Sequence, residues 1–182
     1  MKDLPQGYRP IRTVSVTNGK GMALLSLVLI VGMTGLGFYL APKNVRHLEG
    51  PQVLAYLVTL LAGGVLYLFL HELIHGVLMR AYSGARVRYS FRAAAASAGC
   101  EGYFTKRQYI WVALAPLVLL GGLLALLNRL LYPAHFWYFF ILQILNVSGA
   151  AGDVYSTGRM LRMPRETMVQ DTGTHLIFYS CR

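Results

Sequence analysis

The residues with the most chemistry to offer stand together as His71-Glu72-Leu73-Ile74-His75, inside an otherwise apolar stretch. Histidines at i and i+4 share one helical face a turn apart, so both imidazoles can reach a single ion. Imidazoles at this spacing suit zinc, and the glutamate beside the first of them projects next to the metal. From there it can take a proton from a water that the metal has acidified to a pKa of about 7. Hydrolysis of a polarised carbonyl is the chemistry such a set supports. The competing reading is a buried His–Glu hydrogen-bond cluster without metal, and it leaves unexplained why three ionisable groups sit inside an apolar helix, where each is costly.

A zinc site of this kind needs a third protein ligand, with the fourth position left to water. His47 and His135 fall at the other side of the membrane from His75 and read as interfacial residues. Asp171 and His175 lie in the C-terminal tail and would have to fold back. Asp153 is the strongest candidate, because it ends the last apolar stretch in Asn146-Val147-Ser148-Gly149-Ala150-Ala151-Gly152-Asp153. Its depth matches that of His75, which precedes Arg80 by about 8 Å of helix. The small residues before it let this helix approach the one carrying the histidines. In the alternative, Asp153 caps a helix or faces water beside Arg159.

The elements that must hold these residues are membrane spans. Of 182 residues, 55% are hydrophobic and only 13% charged, where a soluble domain carries about 25% charged. That excludes a soluble enzyme, a disulfide scaffold and a disordered tail. Spans are expected at about 21–41, 53–80, 108–131 and 135–152, with a cytoplasmic loop at 81–107 and a tail at 153–182, all within a single polytopic membrane domain covering 1–182. The first uncharged run exceeds the roughly 7–15 residues of a signal-peptide core and is followed by Pro42, so it reads as a retained anchor. In the loop, Val87, Tyr89 and Phe91 alternate with Arg86, Arg88 and Arg92, which predicts a strand, and Gly84, Gly99 and Gly102 punctuate the segment as a hairpin would require. The expected fold class is an all-α membrane protein of four transmembrane helices, with a small cytoplasmic-side β-hairpin between the second and third.

The net charge of +10 would suggest nucleic acid in a soluble protein. Here 14 of the 17 basic residues lie in the N-terminal arm, the central loop and the tail, against Lys43, Arg46 and Arg129 elsewhere. This pattern places both termini and the loop in the cytoplasm, with anionic headgroups rather than nucleic acid as the partner. Cys100 and Cys181 form neither a disulfide framework nor a thiolate metal site. The run Phe136-Trp137-Tyr138-Phe139-Phe140 reads as an interfacial belt with packing. Gly32, Gly35 and Gly37 offer a face for helix contacts or a homo-oligomer. Met160 and Met163, beside Arg159 and Arg162, suggest a tail lying on headgroups.

A His-Glu-x-x-His in a membrane helix, a glycine-punctuated basic loop and an Asn some residues before an Asp at a later helix end together resemble the site-2 protease class of intramembrane zinc metalloproteases. The chain is more similar still to a small bacterial family of zincin peptidases of unknown substrate, through His71-Glu72-Leu73-Ile74-His75-Gly76, Ala115-Pro116 and Asn146-x-x-Gly149-x-x-Gly152-Asp153. The resemblance covers roughly Tyr67 to Tyr155. It implies Zn2+ held by His71, His75 and Asp153, Glu72 as catalytic base, and Asn146 as a hydrogen-bonding group for the substrate backbone or the oxyanion. It further implies a bacterial cytoplasmic membrane and a membrane-protein or peptide substrate, cleaved at or within the cytoplasmic side; the strand around Arg86 to Arg92 would offer an edge to an extended substrate. The chain departs from site-2 proteases in having Gly149, Gly152 and Gly152-Asp153-Val154 where they carry prolines and Leu-Asp-Gly. Its Asn-to-Asp spacing is one residue shorter, and it has no PDZ-like insertion. Two other classes compete: a non-catalytic metal-binding scaffold or sensor, and a metal transporter, which would spread polar residues through the whole membrane depth.

Overall fold

The structure, a computed structural model, describes residues 1–15, 19–43, 49–92 and 95–181; Arg46 and His47 lie outside the described residues. In chain order the elements are β1 (Arg9–Ser15), α1 (Lys20–Leu40), α2 (Gly50–Ser83), β2 (Val87–Arg92), β3 (Ala95–Cys100), β4 (Tyr103–Thr105), α3 (Lys106–Leu130), α4 (Phe136–Gly149), α5 (Ala151–Leu161), β5 (Met168–Asp171) and β6 (His175–Ser180).

Among the described residues, α1, α2 and α3 are long and apolar enough to cross a membrane. Their outer faces carry bare hydrocarbon, as at Phe38 and Leu61, each 71% exposed, which belongs in lipid rather than water. The ends of these helices are set by local signals. Before α2, Glu49 and Gln52 form a reciprocal capping box and Pro51 occupies the first turn; after it, Gly84 turns left-handed (φ 66°) and its N–H returns to the Arg80 carbonyl. Thr105 and Gln108 form the same box at the start of α3. These pairs satisfy amide groups that the first helical turn leaves orphaned.

Two parts of the expected all-α, four-span fold are corrected. The fourth apolar stretch is not one long helix. It divides at Gly149–Ala150 into α4, 14 residues long, and α5, and α4 at about 1.5 Å per residue is too short for about 30 Å of hydrocarbon. The Ser148 hydroxyl donates back to the Ile144 carbonyl just before the break, a bond that bends helices. α4 instead packs against α1, α2 and α3. Phe136 and Phe140 are buried there, and Gly37 of α1 admits the Phe140 ring where a Cβ would lie 2.6 Å from it.

The second correction concerns β structure. The hairpin is present, as β2 paired antiparallel with β3. The N-terminal arm and the C-terminal tail are also strands, joined in an antiparallel sheet of order β1-β6-β5-β4. Leu176 and Phe178 alternate inward on β6 and are fully buried, with Phe104 of β4 and Val169 of β5. Met160, expected on headgroups, is fully buried in the same core beside Tyr109 and Val112 of α3 and Met79 of α2. The sheet therefore closes one end of the helices, the end at which α2 carries its histidines. Cys100 and Cys181 are free thiols.

Candidate metal centre

α2 is about 50 Å long at 1.5 Å per residue, longer than a bilayer core, and its C-terminal part is wrapped by β2, β3, β4 and α3. His71 and His75 lie in that wrapped part and are buried. Their Nε2 atoms approach to 3.2 Å. Asp153, in the first turn of α5, completes a triangle: its Oδ2 is 3.3 Å from His71 Nε2 and 3.5 Å from His75 Nε2. The helix break after α4 is what turns this carboxylate inward. Gly149 leaves 3.6 Å between a Cβ position and the Tyr67 hydroxyl, and Ala150 and Ala151 are buried. Arg159, the alternative partner for Asp153, donates to the Tyr155 hydroxyl instead.

The outward ring nitrogens are engaged as well. His75 Nδ1–H donates to the Val112 carbonyl of α3 at 2.9 Å, and His71 Nδ1 is hydrogen-bonded to the Tyr67 hydroxyl at 2.9 Å. A carbonyl only accepts, so His75 carries its proton on Nδ1 and, when neutral, presents a lone pair at Nε2. Two imidazole nitrogens and a carboxylate oxygen thus converge with spacings of 3.2–3.5 Å. Ligands at 2.0–2.1 Å in a tetrahedron lie about 3.3 Å apart. Three acceptors so placed repel one another unless a cation or proton sits between them, and His71, His75 and Asp153 form a group able to hold a metal ion.

A cavity of about 530 Å³ opens beside this triangle, lined among others by Glu72, His75, Ser97, Ala98, Asp153 and Asp171. Glu72 is partly buried and shares the cavity wall with Ala98 of β3. Asp171, weighed in sequence as a tail residue that would have to fold back, does reach the cavity from β5. Its Oδ2 accepts from the Tyr109 hydroxyl at 2.5 Å and its Oδ1 from the Gly173 N–H at 2.8 Å. Burial pushes its pKa up to about 6, against the pull of those two donors. His175 is exposed, its Nδ1 beside the Thr174 hydroxyl, and His135 precedes α4 at the other end of that helix from Asp153. Asn146 does not line the cavity; wholly buried, it donates from Nδ2 to the Leu117 carbonyl at 3.1 Å and so joins α4 to α3.

Sequence reasoning missed Tyr67, Val112 and Tyr109 as partners of the site. Tyr67 stands one turn before His71 on the same face, which is a readable signal. The other two reach the site only through packing of α3.

The fold and site together define a membrane protein with a three-residue group fit for a metal ion, beside a cavity that holds a carboxylate. Residues 64–168 match the family described as "Putative zincin peptidase", and the chain belongs to that family. Searches among curated proteins and among solved structures returned no match. Membership implies a metal, zinc for a zincin, and the donor set of two imidazoles and one carboxylate suits it.

Proposed function

We propose that the protein is a zinc-dependent, membrane-embedded metallopeptidase of the His-Glu-x-x-His type, similar in plan to site-2 proteases. It cleaves peptide bonds at the basic end of its helices, which the positive-inside rule favours as the cytoplasmic side, in a membrane that the family resemblance implies to be bacterial. The observation that carries the reading is the convergence of His71 Nε2, His75 Nε2 and Asp153 Oδ2 beside a cavity that also holds Glu72.

Zinc held by these three would supply Lewis acidity, polarising a scissile carbonyl and acidifying a water. Glu72 is the general base: it receives the proton of the attacking water and returns it to the leaving amine. β3, rather than the β2 strand expected from sequence, supplies Ala96, Ser97 and Ala98 to the cavity. Among the described residues β2 is its only strand partner, so its second edge is the place for an extended substrate to add as a strand. A membrane-embedded substrate helix must unwind to present such a strand. Asn146, as placed, serves the packing of α4 on α3.

The test is zinc content of detergent-purified protein, followed by substrate capture. Wild type should carry about one zinc per chain, the number a three-ligand site holds, and His71→Ala and Asp153→Ala should lose it. Glu72→Gln should keep the zinc, abolish cleavage and retain substrate in native membranes. Wild type without zinc after reconstitution would overturn the reading. Zinc bound normally, with Glu72→Gln altering no cleavage, would favour a metal-binding scaffold or sensor.

A further inference from the structure

Pro116 lies in the interior of α3 and is fully buried. A proline inside a helix has no N–H to give to the carbonyl four residues earlier, and its ring pushes that carbonyl away from the helix axis. Four residues before Pro116 is Val112, and the Val112 carbonyl is the one that accepts from His75 Nδ1–H across the α2–α3 interface. In a continuous helix that oxygen would be engaged by the amide at 116. The Ala115-Pro116 pair, noticed in sequence only as part of a resemblance, thereby acquires a physical purpose.

We propose that Pro116 is a positioning residue for His75: by withholding an amide donor it frees the Val112 carbonyl to accept from Nδ1, which turns Nε2 toward the metal. The inference rests on the metal reading above. The hydrogen bond fixes the tautomer, since an acceptor at Nδ1 requires the proton there and leaves Nε2 the lone pair. It also fixes the ring's rotation, which the 3.2 Å and 3.5 Å approaches to His71 and Asp153 depend on. An ordinary residue at 116 would restore the helical bond and draw the carbonyl back toward the axis, leaving His75 to share it or to lose it.

The two roles a buried helix proline can have are separable, because only positioning of His75 reaches the metal affinity of the folded protein. If Pro116 were only a packing element or a kink, Pro116→Ala would act through stability and leave the affinity of the folded protein for metal unchanged. If it positions His75, Pro116→Ala should still fold, since alanine costs a helix interior far less than proline does, and the effect should show in the affinity of the folded protein for metal. Its zinc affinity should fall about 10-fold or more, the usual effect of removing a partner that orients a ligand. A second variant isolates the donor: lactic acid incorporated at position 116 keeps alanine's methyl but places an ester oxygen where the N–H would be. It should bind zinc like wild type.

Zinc affinity would be read by competition with a chromophoric chelator, and the ligand field from the visible spectrum of the Co2+-substituted protein. The tautomer would be read from imidazole 15N shifts of the metal-free protein at alkaline pH. The expected result is a weakened, spectrally altered site in Pro116→Ala, wild-type behaviour in the ester variant, and an Nδ1–H tautomer at His75 that becomes mixed in Pro116→Ala alone. Equal zinc affinity in wild type and Pro116→Ala, or equal losses in the alanine and ester variants, would overturn the proposal. Should wild type bind no zinc, the metal reading fails, while the 15N shifts still decide whether Pro116 sets the His75 tautomer.

Discussion

Gly99 is where the two sheets meet, and a single methyl there tests whether they form the cavity jointly. It pairs with Arg88 in the β2–β3 ladder, and its other side faces the turn between β5 and β6. A Cβ at this position would stand 2.5 Å from both the carbonyl carbon and oxygen of Thr172 and 2.8 Å from the amide nitrogen of Gly173. Ordinary contact begins near 3.4 Å, so hairpin and turn must part by about 0.9 Å, and both sides are backbone that cannot rotate away. Overpacking of this kind costs about 1–3 kcal/mol, and for a chain of this size lowers Tm by roughly 3–10 °C. The turn carries Asp171 and Gly173 to the cavity, and β3 carries Ser97 and Ala98, across from Glu72. Displacing one against the other should cut turnover by about 100-fold, the scale of an ångström-sized misplacement. Zinc content should not change, because His71, His75 and Asp153 stand on α2 and α5 rather than on either sheet. Gly99→Ala would be compared with Gly122→Ala, where a Cβ meets nothing within 4 Å, by melting, elemental analysis and cleavage of a substrate captured with Glu72→Gln. A Gly99→Ala protein that melts and cleaves like wild type would refute the reasoning.

Tyr67→Phe removes the hydrogen bond at His71 Nδ1 and should weaken zinc binding about 10-fold; an unchanged chelator-competition curve would show that packing alone orients that ring. The raised pKa of Asp171, about 6 against an ordinary 3.8, means that the folded state binds its proton more tightly than the unfolded chain does. The stability this contributes is complete below about pH 3.8 and is lost as pH rises through about 6. Relative to Asp171→Asn, wild type should therefore lose on the order of 2–3 kcal/mol between pH 4 and pH 7, and parallel stability profiles for the two proteins would contradict the assignment. Arg88 and Glu101 form an ion pair with side chains 80% and 58% exposed, so Arg88→Ala should leave Tm within about 2 °C of wild type, and a larger drop would mean that the pair does more than sit in solvent.

How far each feature could be read ahead depended on whether it was local. The histidines and Glu72 were legible because helical spacing alone puts i and i+4 on one face. The hairpin was legible because Val87, Tyr89 and Phe91 alternate with arginines over consecutive residues. The four-stranded sheet has the same alternation in its strands, at Leu176 and Phe178. It was passed over because its partners come from opposite ends of the chain, and basic residues nearby drew the tail toward headgroups. The fourth span failed on a small matter of backbone: Gly149 and Ala150 look like the end of an apolar helix, and they are the joint between two.

The amino-acid sequence by itself pointed to a membrane protein, to where its long spans run, to the helix face that bears two imidazoles with Glu72 next to it, and to Asp153 as the first candidate to join them. Each of these follows from composition or from spacing within one element. Only the tertiary structure decided that Asp153 turns inward from a helix break, that Asp171 shares the cavity, and that β3 rather than β2 forms its wall. Only there, too, did Val112 and Tyr67 take hold of the histidines. These are contacts between elements distant in the chain, and burial selects them from many that local periodicity would allow equally well.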